Sequence, residues 1–345
     1  MKIILRFFIL AIVIAIVVLG VGGYTYHQLK LWGTRVTPLE QAVVIDLKKG
    51  SSLREFSKQL ESAQLIDKAI KFEVWTRLFS SYSRFQAGPY RFKNKVSPRL
   101  IARKVIKGDV YRPVVFKITI PEGFTYKQFA ARMQQQGVGD EEEFKALFTD
   151  KDLLSELNVP STSLEGFLYP ATYSFIYMPT AKDVIRKSVK TFYHNLPENY
   201  VEHLAPLGIN LLQAVTIASL IELETPQRSE KPLISEVIWR RLKAAMPLGI
   251  DAAIIYGIPD YNGNISAKHL ADATNPYNTR IHKGLPPTPI GSPALDSLMA
   301  VIHYADAGNY YFVVDPDNPK RHIFSKNFKE HSKNVRKYVA AIKRR

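Results

Sequence analysis

The feature that most constrains this chain is an apolar run at its N-terminus. Residues 7–23, FFILAIVIAIVVLGVGG, carry no charged side chain. Together with residues 3–5, and at a rise of about 1.5 Å per residue, a helix of this length crosses the ~30 Å hydrocarbon layer of a membrane. Lys2 and Arg6 lie at the start of the run, which favours a cytoplasmic N-terminus. The sequence therefore predicts a single transmembrane helix over residues 1–23, with the remaining chain on the extracytoplasmic side.

A cleaved signal peptide is the alternative interpretation of this run. Such a peptide has an apolar core of about 7–15 residues followed by a small-residue cleavage site of the A-x-A type. The run here is longer, and the sequence GGYTYHQ at its end has no such site. We therefore expect the helix to be retained as an anchor and residues 24–40 to form a short tether.

Composition and charge narrow the classes of function. The chain has 345 residues, of which 46% are hydrophobic and 23% charged, as in a folded protein of two or three domains. It has no cysteine, which excludes disulfides, thiolate chemistry and cysteine-based zinc sites. The net charge of +16 fits nucleic acid, an anionic membrane surface or another acidic polymer as a partner. The predicted anchor argues against nucleic acid, because chromosomal DNA lies on the other side of the membrane.

An internal repeat follows the tether. Residues 43–66, VVIDLKKGSSLREFSKQLESAQLI, align with residues 116–139, FKITIPEGFTYKQFAARMQQQGVG. Each copy reads as an alternating strand, a glycine turn and an amphipathic helix. The turn glycines and the predicted helix N-caps are Gly50, Gly123, Ser52 and Thr125. This unit resembles half of a LysM module, a carbohydrate-binding fold of peptidoglycan proteins, and a plain α+β packing unit is the alternative. We assign residues 41–139 to a LysM-like α+β region.

Between the two copies, residues 85–109 read as a strand, AGPYRF, followed by a basic amphipathic helix. The charge is interpreted as a solvated face, with contact to lipid headgroups or wall anions as the alternative. From about residue 140 the composition becomes helical, and residues 208–224 are apolar on nearly every side, which is typical of a core helix. The prediction is an α+β fold in which residues 140–345 form a mainly helical domain with small β elements.

The end of this core helix carries two carboxylates, Glu222 and Glu224. A carboxylate without partners is costly in apolar surroundings and tends to become protonated. Two residues apart on a helix, the side chains point about 200° apart. Glu224 continues the face of Ile217 and Ile221, whereas Glu222 continues that of Val215, so periodicity does not choose between them. A helix end with both acids in water is the alternative to a catalytic acid.

No other motif competes with these acids for chemistry. The eight histidines are scattered, and neither an H-E-x-x-H metal motif, a G-x-S-x-G nucleophile elbow nor a phosphate-binding loop occurs. We therefore expect neither metal nor cofactor. Ordinary glycosidases need two carboxylates, but a lytic transglycosylase can work with one. That acid protonates the leaving glycosidic oxygen and then takes the proton of the sugar's 6-hydroxyl, which attacks C1 to give a 1,6-anhydro sugar.

Several motifs, in order along the chain, resemble those of the YceG-like endolytic murein transglycosylases. The sequence ASLIELET is similar to the family's A-S-I-[IV]-E-K-E-[TA], and LEGFLYPATY is similar to L-E-G-F-L-x-P-x-T-Y. ASLIELET occupies residues 218–225 and LEGFLYPATY residues 164–173. The further matches are SE (229–230), VIWRRL (237–242), IYG (255–257), YNT (277–279) and GLPPTPI (284–290). The resemblance covers nearly the whole chain and implies that residues 140–345 are the catalytic domain.

The resemblance also implies roles for individual residues. The family's catalytic acid is the second glutamate of its motif, which falls on Glu224, and apolar neighbours would raise its pKa into a useful range. Implied cleft groups for substrate binding, each equally interpretable as structural, are Glu230, Asp251, Tyr277 and Asn278. Tyr169 and Tyr173 are candidates to stack on sugar rings, with core packing as the competing role.

The chain departs from the family pattern at several positions. It has Leu223 where the family usually has lysine, Ala171 where it has aspartate, and the sequence GIDA at residues 249–252 in place of Q-[ST]-D-P. Asn275 and Arg280 replace the usual serine and tyrosine. Glu224 and Asp251 are retained, so the departures bear on the shape of the glycan subsites more than on the chemistry.

Two functions follow as hypotheses. The first is a membrane-anchored endolytic lyase that cleaves the MurNAc–GlcNAc β-1,4 bond of nascent peptidoglycan strands, leaves 1,6-anhydroMurNAc ends and so terminates elongation. The resemblance places such an enzyme in the bacterial inner membrane, with its catalytic domain on the periplasmic side and peptidoglycan synthases as partners. The second is a non-catalytic peptidoglycan-binding scaffold, which the departures favour. An accessible groove at Glu224 is what distinguishes the first from the second.

Overall fold

The computed structural model describes residues 2–259 and 261–343, with the side chains of residues 2–8 and 11 excepted. The chain is a mixture of helix and sheet and divides into two compact units, Met1–Pro113 and Val114–Arg345. The predicted boundary at residues 139 and 140 differs from this division. The second copy of the repeat belongs to unit 2, because its strand pairs with a strand more than fifty residues further along the chain.

Unit 1 begins with one long helix, α1 (Lys2–Trp32), which is long and apolar enough to cross a membrane. The helix runs on through the first part of the predicted tether. Its end is docked on the unit: the indole Nε1 of Trp32 donates to Oδ1 of Asp67 at 2.9 Å. A Cβ atom at Gly33 would lie 1.9 Å from the Trp75 indole nitrogen, so only glycine fits there. The helix therefore passes directly into the folded part of unit 1.

The rest of unit 1 is a small α+β body. Its antiparallel pairs join the first strand to the fourth and the second to the third. Its elements are β1 (Thr37–Pro38), β2 (Val43–Leu47), α2 (Leu53–Ser62), α3 (Ala69–Phe79), a 3-10 turn (Tyr82–Arg84), β3 (Gly88–Phe92), β4 (Lys95–Val96) and α4 (Pro98–Ile106). The predicted strand and basic helix of residues 85–109 are confirmed as β3 and α4.

Unit 2 contains more helix than sheet. Its two strand pairs are antiparallel, one joining its first two strands and the other its last two. Its elements are β5 (Phe116–Thr119), α5 (Tyr126–Gln135), α6 (Glu141–Phe148), α7 (Lys151–Glu156), β6 (Thr172–Phe175), α8 (Ala181–Asn195), α9 (Tyr200–Leu204), a 3-10 turn (Ala205–Leu207), α10 (Leu211–Glu224), α11 (Lys231–Lys243), α12 (Asp251–Tyr256), α13 (Ala267–Leu270), α14 (Leu295–Ile302), β7 (Tyr311–Val314), β8 (His322–Ser325) and α15 (Phe328–Ile342).

The strand–turn–helix repeat is confirmed in both units. Ser52 and Thr125 are the N-caps of α2 and α5, and each forms a capping box with the residue three positions on. Gly50 and Gly123 adopt φ of +85° and +72°, the left-handed region that glycine enters without a steric cost. The helices pack into two different cores, and the LysM-like character of the repeat stays a prediction.

The central element of unit 2 is α10, which the apolar run predicted as a core helix. Every residue from 214 to 221 is buried, and the helix packs against α11 and α14. Asn210 caps its N-terminus through a capping box with Gln213. At its other end Thr225 is extended and Pro226 follows, so the helix ends at Glu224. The end of the core helix thereby positions the two carboxylates.

Candidate active site

Glu222 is a structural anchor. Its side chain is 4% exposed, and Nζ of the equally buried Lys231 lies 3.1 Å from both carboxylate oxygens. Oε2 also accepts hydrogen bonds from the Ala294 N–H at 2.9 Å and the Ser297 hydroxyl at 2.6 Å. The carboxylate therefore joins α10 to α11 and α14, and its acceptor positions are occupied.

Glu224 has the opposite environment. It is partly buried, and no described residue donates a hydrogen bond to its side chain. The pKa of Glu224 is raised to about 7: burial is the largest cause, the negative charge of Asp251 acts in the same direction, and the Arg241 guanidinium opposes them. A carboxyl group with this pKa is partly protonated at neutral pH and can both give and take a proton. Sequence periodicity left the choice between the two acids open, and the contacts identify Glu224 as the uncommitted one.

One arginine, Arg241, acts on the charge of Glu224, and a second, Arg280, is paired with Asp251. Arg241 is fixed, because its Nε donates to the Tyr310 carbonyl at 2.8 Å and its Nη1 to the Leu248 carbonyl at 2.6 Å. Arg280 donates from Nε and Nη2 to Oδ1 of Asp251, at 3.0 and 2.8 Å. Arg280 stands where the resembled family usually has tyrosine. The aspartate retained at residue 251 is thus held by a cation that is a departure from the family pattern.

Glu230 lies at the start of α11 and is 6% exposed. Its Oε2 accepts from the Thr225 hydroxyl at 3.0 Å and lies 2.9 Å from Nδ1 of His322, while Oε1 accepts from the His322 N–H at 2.9 Å. These contacts bind the turn after α10 to β8. They occupy the carboxylate that the resemblance assigned to substrate, whose substrate role stays a prediction.

Asn278 and Tyr277 form hydrogen bonds within and beside the loop that contains Arg280. Asn278 is fully buried: its Nδ2 donates to the carbonyls of Leu270 and Asp272 at 3.1 and 2.9 Å, and its Oδ1 accepts from the Arg280 N–H at 3.2 Å. Tyr277 is partly buried, and its hydroxyl lies 2.8 Å from that of Thr288. Asn278 thus shapes the loop, and Tyr277 keeps a partly accessible ring.

The two candidate stacking tyrosines separate in the structure. Tyr173 lies on β6, is 3% exposed and donates its hydroxyl hydrogen to the Tyr169 carbonyl, so it packs in the core. Tyr169 is partly exposed and lines an open cleft of about 510 Å³ together with Glu122, Asp296 and Met299. Of the two rings, Tyr169 is the one that a ligand can reach.

A further acid with a raised pKa, the buried Glu165, was not among the predicted site residues. It is 1% exposed, and its Oε2 accepts from the Tyr126 N–H at 3.1 Å and from the Tyr256 hydroxyl at 2.8 Å. Burial raises the pKa of Glu165 to about 7, against the opposing effect of these hydrogen bonds. Tyr256 ends α12, the helix that Asp251 begins. A single acid within the otherwise apolar LEGFL segment was the signal in the sequence.

Other contributors could not be read from local sequence. Lys231, Arg241 and His322 act on partners that belong to other elements, and only their charge or polarity is visible in the sequence. Among the described residues, no group of three or more acidic or histidine side chains is arranged to hold a metal ion.

The chain is similar to proteins of one family. A family model described as the YceG-like family matches residues 45–337. Endolytic murein transglycosylases of Streptococcus pneumoniae strains D39 and R6 are each 30% identical over 363 residues, which cover 96% of this chain and 65% of each relative. The chain therefore spans somewhat less than two thirds of those relatives. The Bacillus subtilis protein of the same name is 28% identical, with 87% of this chain and 85% of that protein covered.

A solved structure is also similar. The crystal structure of a putative YceG-like protein from Listeria monocytogenes aligns with a TM-score of 0.57 and 26% sequence identity. The alignment covers 86% of this chain and 99% of that chain.

Proposed function

The chain belongs to the YceG-like family, and on that premise we propose that it is an endolytic lytic transglycosylase of peptidoglycan, anchored in the membrane by α1. The observation that carries the proposal is Glu224, a partly buried carboxyl without a hydrogen-bond donor among the described residues, whose pKa is raised to about 7. The names of the pneumococcal and Bacillus relatives support the same reaction.

In this proposal Glu224 acts twice. Its protonated form donates the proton to the glycosidic oxygen between MurNAc and GlcNAc, and the C1–O bond breaks. The N-acetyl group of the substrate stabilises the positive charge at C1. The Glu224 carboxylate then accepts the proton of the 6-hydroxyl, whose oxygen bonds to C1. The products are a 1,6-anhydroMurNAc end and a free GlcNAc 4-hydroxyl, no water is consumed, and the acid regains its proton.

The engagement of neighbouring carboxylates favours this one-acid reaction over ordinary hydrolysis. A glycosidase needs a second carboxylate as nucleophile or base. Glu222 is bound by Lys231, and Glu230 is bound by His322. Asp251 is paired with Arg280 and contributes chiefly through its charge, which raises the pKa of Glu224. Of these four acids, Glu224 is the one with no ion-pair partner among the described residues, which favours it for proton transfer.

The anchor completes the proposal. If α1 crosses the bacterial inner membrane with its N-terminus in the cytoplasm, both folded units lie on the periplasmic side, where new glycan strands emerge. Cleavage of a nascent strand there would end its elongation. Peptidoglycan synthases are the partners that this placement implies. The non-catalytic scaffold remains the second candidate, favoured by the structural use of Glu230 and Asn278.

The test is product analysis with the full chain in detergent and purified peptidoglycan. Mass spectrometry should find 1,6-anhydroMurNAc ends with the wild type and none with Glu224→Gln. The matched control is Glu202→Gln, an exposed glutamate on α9, which should retain activity. Equal activity of Glu224→Gln would remove Glu224 as the acid. A wild type without product, where a known lytic transglycosylase works, would favour the scaffold.

A further inference from the structure

Unit 1 has an open groove of about 540 Å³ whose walls are basic. Seven lysine or arginine residues and one acid, Asp109, line it. Arg91 lies on β3 and Lys95 on β4, Arg103 lies on α4, and Lys107 and Arg112 follow α4. The groove therefore brings together basic residues from three parts of the chain.

The charge of this groove is largely uncompensated. Within the described part of the chain, Lys104 is the one lining cation with an ion-pair partner, Asp109 at 2.6 Å. The guanidinium of Arg91 lies over the Tyr111 ring at 5.1 Å, which fixes the group and leaves its edge free to donate. A solvated helix face spreads its charge outward into water, whereas here cations on several walls share one concavity. Like charges held together raise the local potential and favour an anionic ligand.

Two of the elements that line the groove, α4 and β4, contact the residues that follow α1. The backbone N–H of Arg99, in the first turn of α4, donates to the carbonyl of Gly33 at 2.9 Å. Lys95 on β4 pairs with Pro38 on β1, a few residues after the end of α1. Both α4 and β4 thus contact the residues directly after α1.

The part of α1 beyond its apolar run sets the distance between Trp32, its last residue, and the membrane. From residue 23, where the apolar run ends, to Trp32 a helix rises about 14 Å. The polar headgroup region occupies about 5–8 Å on each side of the hydrocarbon layer. Trp32 therefore lies roughly 6–9 Å above the headgroups, which is comparable to the Debye length of about 8 Å at physiological ionic strength. At this height anionic headgroups attract the basic groups of unit 1, and a tilt of the unit that turns the groove toward the membrane brings the two into contact.

We propose that this groove binds the phosphate groups of anionic lipids in the membrane that α1 crosses, and so holds unit 1 against the membrane surface. Guanidinium groups bind phosphate oxygens through paired N–H donors, and lysines add charge. The inference rests on the anchoring part of the proposed function and is independent of the catalytic part.

The test uses the full chain in lipid nanodiscs. The natural sequence has no cysteine, so Pro113→Cys, at an exposed residue directly after the groove-lining Arg112, carries a single dye. The discs contain phosphatidylcholine alone or with one third phosphatidylglycerol, and both contain a spin-labelled headgroup that quenches the dye at close range. We expect stronger quenching with phosphatidylglycerol, and its reversal by high salt.

The groove variant is Arg91→Gln with Arg103→Gln and Lys107→Gln. The matched control neutralises three exposed lysines of the same unit: Lys48, Lys49 and Lys58. A basic residue near an anionic surface contributes about 1 kcal/mol, so three should change the ratio of docked to undocked unit by roughly 100-fold. The groove variant should lose the extra quenching and the control should keep it.

Three results would overturn the proposal. Equal quenching in both kinds of disc would exclude attraction to anionic lipid, and equal loss in both triple variants would reduce the effect to net charge. Release by millimolar inorganic phosphate, at constant ionic strength, would identify a free phosphate as the ligand. Co-purification of the chain with both kinds of disc reports the anchor separately, so failure of the anchor is distinguishable from failure of the groove.

Discussion

Replacing Lys231 by methionine tests how the C-terminal end of α10 is held. Lys231 is 2% exposed and its ammonium lies 3.1 Å from both oxygens of Glu222 and 2.8 Å from Asp296. Removing one partner of a buried ion pair costs about 3–5 kcal/mol, because the other charge is left without compensation. Glu222 keeps two neutral donors, from Ala294 and Ser297. We therefore expect the low end of that range, about 3 kcal/mol.

The expected change is large enough to measure. In a domain the size of unit 2, 1 kcal/mol shifts the melting temperature by about 2–4 °C, so Lys231→Met should lower Tm by roughly 6–12 °C. The assay is thermal unfolding of the full chain in detergent, followed by near-ultraviolet circular dichroism. Adding Glu222→Gln removes the unpaired charge while keeping an acceptor for Ala294 and Ser297, so the double variant should recover much of the loss.

The control makes the same substitution at an exposed pair. Lys145 lies 2.9 Å from Glu142, a distance like that at Lys231, but both side chains are well exposed. Exposed pairs contribute little to stability, so Lys145→Met should leave Tm nearly unchanged. If Lys231→Met behaved like Lys145→Met, or if adding Glu222→Gln made the protein less stable still, the electrostatic reasoning about the end of α10 would be refuted.

Three further predictions concern the charges around the acid. The pKa of Glu224 is raised from 4.5 to about 7, so the folded chain binds more protons than the unfolded chain between these values, and its stability falls as pH rises through that window. Denaturant titrations at a series of pH values should show Glu224→Gln removing roughly 3 kcal/mol of this fall, and a variant with the wild-type slope would contradict the shift. Arg280→Tyr removes the cation paired with Asp251, and the uncompensated negative charge raises the pKa of Glu224 further. The alkaline limb of the pH–rate profile should therefore shift to higher pH, and a shift to lower pH would contradict the pairing. Glu230→Gln weakens the contacts to His322 and should lower Tm at unchanged KM, whereas a raised KM at unchanged Tm would restore Glu230 as a substrate ligand.

Local features of the sequence predicted local structure well. The N-caps Ser52 and Thr125 act on residues three positions away, so their sequence context contained all the necessary information. The end of α10 at Glu224 was similarly predictable from the apolar run and Pro226. These elements are determined by neighbours in the chain, and pattern and propensity suffice for them.

Interactions over long separations were beyond such reasoning. The pairing of β5 with β6, which assigns the second repeat to unit 2, joins Phe116 to Phe175. The role of Glu230 depends on His322, and the choice between Glu222 and Glu224 depends on groups from α11 and α14. None of these partners has a spacing that pattern analysis detects, because tertiary packing alone brings them together.

The unbroken passage of α1 into unit 1 has a mechanical consequence. A flexible linker of seventeen residues has a root-mean-square end-to-end distance of roughly 20–25 Å, which would leave unit 1 free to move over that range. Most of residues 24–40 is instead either helix or paired strand. Helix geometry converts each added residue into about 1.5 Å of height and about 100° of rotation. The number of residues between the apolar run and Gly33 therefore sets two quantities. One is the distance of unit 1 from the membrane, and the other is the rotation of its faces about the axis of α1.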